Sequence, residues 1–188
     1  MQPPKPFFYN IKKVKAILLG ADPSNNSNKG QTVQLQYVFG INGKDKRYFM
    51  GIEKNLNAIG LSRNDIYAQN LIQSYQPEET GKNLHWQDIA EKWVEILMQE
   101  LDGFDPKRKI PILVTAQVVI EFLSMEPLPT PKEIYLSQAD GIVKADENPL
   151  GRVLIPFYRH YSYAMEKEEF AKYRESVRRI VEGVGHRA

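Results

Sequence analysis

The chain predicts an α/β fold: a three-layer α/β/α sandwich around a central, mainly parallel, four-stranded sheet. Four short runs are almost continuously apolar, the habit of strands buried on both faces. Segments with helical spacing lie between those runs, and polar, turn-rich stretches follow them. No linker, internal repeat or low-complexity tract interrupts the 188 residues, so residues 1–188 are expected to form a single domain.

The first run is VKAILLG at 14–20, ended by glycine and followed by ADPSNNSNKGQ, a loop by composition. The pattern returns at 66–72 (IYAQNLI), 110–115 (IPILVT) and 152–157 (RVLIPF). Pro111 sits near the start of its run, where a strand tolerates proline best. From Asp88 to Leu101, Ile89, Trp93, Ile96, Leu97 and Leu101 follow 3.6-residue spacing. Ala116–Leu123 reads as helical, while Ser124–Gly151 holds four prolines and reads as irregular, with a short strand expected at Glu133–Leu136. The last helix carries Phe170, Tyr173, Val177, Ile180 and Val181 on one face, with Glu166, Glu168 and Glu169 as its acidic first turn. Trp86 and Trp93 read as packing residues.

Composition narrows the chemistry. With no cysteine, disulfides, a thiol nucleophile, zinc–thiolate sites and cysteine-held iron–sulfur clusters are excluded. Only three histidines are present, and the GxGxxG, P-loop, HExxH, GxSxG and EF-hand patterns are missing, so no metal or cofactor is expected. A net charge of +2 argues against strong non-specific polyanion binding and leaves room for a local basic track. Lacking a signal-like or membrane-length apolar run, the chain is expected to be a cytoplasmic monomer with no membrane partner.

In open parallel sheets ligands bind beyond the carboxyl ends of the strands. The polar residues there are Asp22, Asn70, Thr115, Gln117 and His160. Each has an ordinary structural alternative. Asp-Pro-Ser-Asn is common turn chemistry, Asn70 could satisfy a neighbouring loop, and His160 stands among Tyr158, Tyr161 and Tyr163 as a packed ring would. An acid, an amide and an imidazole at successive strand ends could equally converge on one cleft.

The segments VKAILLGADPS, GQTVQLQYVF, IYAQNLI and VLIPFYRHYSYAM, in this order, resemble the signatures of the uracil-DNA glycosylase superfamily. The resemblance implies a DNA glycosylase that hydrolyses the N-glycosidic bond of uracil or a related damaged pyrimidine. Asp22 and His160 would be catalytic, and Asn70 would read the flipped base. Tyr37, or Phe39 on the same strand face, would stack on that base, with Gln31 also at the base site. Ser24, Lys29, Arg159 and Ser162 would contact the DNA backbone, and Met165 would be an apolar wedge. The implied partner is single- or double-stranded DNA containing a modified base. Ser24 stands where the best-known branch has a tyrosine against thymine, and Tyr161 and Tyr163 replace the usual prolines. These departures keep open a catalytically inactive relative that binds nucleic acid or a protein partner. Hydrolysis of a free nucleoside or nucleotide is a third reading.

Overall fold

Each apolar run forms a strand somewhat shorter than the run itself. In the computed structural model, which describes residues 2–23, 34–41, 47–78 and 80–185, β1 (Ala16–Gly20), β2 (Ile66–Asn70), β3 (Ile112–Val114) and β4 (Leu154–Pro156) form one sheet. Its order is β2-β1-β3-β4, and all three pairings are parallel. Every strand residue is buried, which explains why the runs lack polar alternation.

Helices α1 (Arg47–Ala58), α2 (Trp86–Asp102), α3 (Gln117–Leu123), α4 (Pro131–Tyr135) and α5 (Ala171–Gly185) flank the sheet, as a three-layer α/β/α sandwich requires. On α1 the buried residues Phe49, Ile52 and Leu56 make the inward face; on α2 these are Trp86, Ala90, Leu97 and Leu101. Among the described residues no helix is long and apolar enough to cross a membrane.

One element differs from expectation. Glu133–Leu136 does not form a strand, because Glu133 belongs to α4. Thr130 caps that helix in a reciprocal capping box with Glu133, and Pro131 occupies its first turn. That chemistry nucleates a helix and outweighs the strand-like local composition.

Three features fix the surroundings of the strand ends. The chain before β1 crosses the outer edge of β2, where Phe7 and Ala68 exchange both backbone hydrogen bonds at 3.0 and 2.8 Å. That contact covers part of an otherwise open edge. At the opposite end of the sheet, the fully buried Arg152 donates to Asp102 at 2.9 Å and to the Asp105 carbonyl at 2.8 Å. It thereby ties the end of α2 to the chain entering β4. Beyond the strands, pairing continues: Leu71 and Ile72 donate to the carbonyls of Gly20 and Ala21, each at 2.9 Å, and Arg159 donates to that of Thr115 at 3.4 Å. β1 has β2 on one side and β3 on the other, so the loops leaving β1 and β3 diverge and open a crevice at the switch point.

Candidate functional site

A cleft of about 420 Å3 lies at this crevice, walled by residues that follow all four strands. Its size falls within the roughly 300–1,000 Å3 typical of small-ligand sites. Asp22, Asn70, Arg159 and His160 all line it, together with Thr80, Gln117, Tyr158 and Tyr163. Tyr158 is nearly buried, stacked on Tyr135 at 5.7 Å and edge-on to Tyr163 at 5.6 Å. These rings form a wall and leave the cleft open.

Asp22 stands two residues beyond β1, where the chain turns at Pro23. Its Oδ2 accepts hydrogen bonds from the Thr80 hydroxyl and from Trp86 Nε1, the latter at 3.0 Å. Its buried Oδ1 has no hydrogen-bond partner among the described residues. Burial pushes the carboxyl pKa above its ordinary value, while Thr80, Trp86 and the nearby Arg159 charge pull it back in part. A partly desolvated carboxylate with one oxygen fixed and the other unengaged is suited to taking a proton.

Asn70 is the last residue of β2 and is 3% exposed. Its backbone N–H donates to Gln69 Oε1 at 2.9 Å. Among the described residues its side-chain amide makes no hydrogen bond, and Asn70 lines the cleft, so the amide is open to a ligand there. Opposite it, Gly20 leaves the space that the site needs. A Cβ there would lie 2.4 Å from Asn70 Oδ1 and 2.8 and 2.9 Å from Phe39 Cζ and Cε1. The Phe39 ring therefore meets the Asn70 amide across the end of β1.

Phe39 and Tyr37 do not share a strand face. The segment Val38–Gly40 is a 3-10 turn in which Phe39 adopts a left-handed φ of 58°. The turn sends the two rings apart. Phe39 is buried beside Gly20 and Tyr37 packs edge-on against Phe7 at 5.7 Å; neither is among the residues that wall the cleft. A bulky residue at positive φ is a strained conformation, and it recurs at functional sites.

His160 is exposed and caps the 3-10 turn Tyr161–Tyr163, with Nδ1 accepting the Ser162 N–H at 3.3 Å. An accepting Nδ1 leaves Nε2 as the N–H donor. The ring also leans on Tyr161 at 4.3 Å. Desolvation lowers the Arg159 pKa, opposed by the Asp22 charge. Ser162 contributes its backbone, accepting from Lys167 Nζ at 2.8 Å, and is not part of the cleft wall.

Met165 is not available as a wedge. It is 0% exposed, its N–H donates to Asn55 Oδ1 at 2.9 Å and its carbonyl accepts from Arg174 at 2.7 Å. Packing in the core removes it from any DNA surface. Ser24, Lys29 and Gln31 lie outside the described residues. Thr80 and Trp86, which hold Asp22, carry no motif that marks them. Trp86 reads from its neighbours as a packing residue, and it is one, with its single donor turned to an acid 64 residues away in sequence.

Compared with known proteins, the chain matches no protein-family model and no curated protein sequence.

Proposed function

We propose that the cleft is the base pocket of a DNA glycosylase hydrolysing the N-glycosidic bond of uracil or a related damaged pyrimidine. The observation that carries this reading is the Asn70 amide, 3% exposed and without a partner among the described residues, in a cleft shared with Asp22. An amide that faces the cleft without a protein partner can pair with a ligand there, each hydrogen bond contributing about 0.5–1.5 kcal/mol net. One amide presents a donor and an acceptor side by side. Uracil offers the complement, a carbonyl beside a ring N–H, and the amine and bare nitrogen of cytosine would need the amide turned over. Among the residues that wall the cleft, Tyr158 and Tyr163 supply aromatic surface for a flipped base, with the buried Phe39 ring behind Gly20.

The chemistry follows from the remaining groups. As the bond between C1′ and N1 breaks, its electron pair passes to the base and spreads onto the O2 carbonyl. The sugar becomes oxocarbenium-like, and water adds to C1′. The Asp22 carboxylate stabilises the sugar cation and accepts the proton that the water gives up. The Nε2–H of His160 donates to the developing negative charge on O2, a contact strongest when that charge is fullest. Exposed Arg159, at the cleft wall, is suited to a DNA phosphate. With a net charge of only +2, affinity for DNA would come from a narrow local track.

The test is release of uracil from single-stranded and duplex oligonucleotides. Asp22→Asn and His160→Ala should each lower the rate by about 100-fold or more. Full activity in both variants would refute their roles. Binding to DNA without excision of any modified base would favour a non-catalytic relative of the same fold.

A further inference from the structure

We infer that Gln69 and Glu100 form a clamp that sets the position of Asn70, making both of them positioning residues for base recognition. The inference deepens the proposed role of Asn70 and rests on it. β2 is an edge strand, and along its outer edge Phe7 bonds both backbone groups of Ala68. The next outward backbone N–H belongs to Asn70, beyond the reach of that bridge. Gln69 supplies the acceptor: its Oε1 takes this N–H at 2.9 Å, folding back over the strand from a position only 2% exposed.

The other end of the same amide is anchored. Gln69 Nε2 donates to Glu100 Oε1 at 2.8 Å. The Tyr67 hydroxyl donates to that oxygen as well, and Gln73 Nε2 donates to Oε2 at 2.6 Å. Three donors from β2 and its exit loop therefore converge on one carboxylate of α2. This convergence fixes which way the Gln69 amide faces. Reversed, it would set an NH2 against the Asn70 N–H and an oxygen against the carboxylate. Glu100 thus decides the orientation of Gln69, and Gln69 decides the backbone from which the unpartnered Asn70 amide projects. The same helix begins with Trp86, the donor to Asp22, so α2 restrains both the acid and the base-reading amide.

Backbone hydrogen exchange at Asn70 in the full chain, read by NMR, tests the clamp without substrate. Steady-state cleavage of a uracil oligonucleotide tests its use. In the wild type the Asn70 N–H should exchange slowly. Gln69→Leu and Glu100→Leu should speed that exchange at least tenfold and leave Leu71, bonded to Gly20, within about twofold. Both should raise KM about tenfold while kcat falls less than about threefold. Glu100→Gln keeps an acceptor for Gln69 and should restore both readouts to within about threefold of wild type. Gln69→Met carries the same expectation as the leucine variant should that one not fold.

A wild-type Asn70 N–H that exchanges like a solvated amide overturns the clamp, as does a Glu100→Gln as impaired as Glu100→Leu. If the wild type releases no uracil, the glycosylase reading falls, while the exchange rates still decide whether Gln69 and Glu100 hold Asn70.

Discussion

Adding one methyl group at Gly20 should disable the cleft while leaving most molecules folded. A Cβ at this position would stand 2.4 Å from Asn70 Oδ1 and 2.8 Å from the Phe39 ring, where ordinary contact begins at 3.4 Å. The amide oxygen would have to retreat by about 1 Å and the ring by about half as much. The backbone cannot give way instead, because Gly20 is paired with β2 and the surrounding strands are fully buried. Overpacking of this kind costs about 1–3 kcal/mol. Against a domain stability of about 5–15 kcal/mol, such a loss leaves the folded fraction near unity at room temperature. Misplacing a positioning group by 1 Å can cost on the order of 100-fold in rate. Gly20→Ala should therefore lose about 1–3 kcal/mol in urea denaturation and about 100-fold in kcat/KM for uracil release. Gly183→Ala on α5, with open space around its Cα, should be neutral or stabilising by up to about 1 kcal/mol. A Gly20→Ala protein with kcat/KM within threefold of wild type would refute the shaping of the pocket by this glycine.

Trp86→Phe removes one of the two donors that lower the Asp22 pKa, so the acid limb of the pH–rate profile should move to higher pH; an unmoved limb would refute the role of the indole. Asp22 has a raised folded pKa, so its ionisation destabilises the fold above the unfolded value. Asp22→Asn should therefore gain stability at neutral pH, and the gain should vanish below about pH 3, as urea titrations at the two pH values would show. Asn55 bridges the Tyr158 carbonyl and the Met165 N–H at 3.3 and 2.9 Å, clipping the His160 loop to α1. Asn55→Leu should cost about 1–3 kcal/mol for each backbone group left unpaired and raise KM more than it lowers kcat, measured by denaturation and steady-state kinetics.

The four strands were legible because two-sided burial leaves an unmistakable apolar run, and the polar residues at their ends mark where a cleft can form. Other features were hidden for different reasons. The face of Phe49, Ile52 and Leu56 on α1 is diluted by Gly51, Asn55 and Asn57, all weak helix formers. Glu133–Leu136 looks like a strand until Thr130, Pro131 and Glu133 are read together as a helix start. Tyr37 and Phe39 would share a face under strict alternation, and a turn at positive φ breaks that rule without any local warning beyond Gly40. The pairing of Asp22 with Thr80 and Trp86, and of Gln69 with Glu100, links distant segments. Nothing in a single sequence announces such partners.

The strand order also governs when the cleft can come into being. β1 and β2 leave the ribosome first, so the acid and the amide are the early arrivals. The imidazole must await β4, which docks on the far side of β3. A chain stopped before residue 154 would carry Asp22 and Asn70 without His160, and so, under the proposed function, the base-reading amide without the imidazole donor. Closing such long loops is the slow part of folding a parallel sheet. Onset of catalysis during refolding would then serve as a clock for the last strand to find its place.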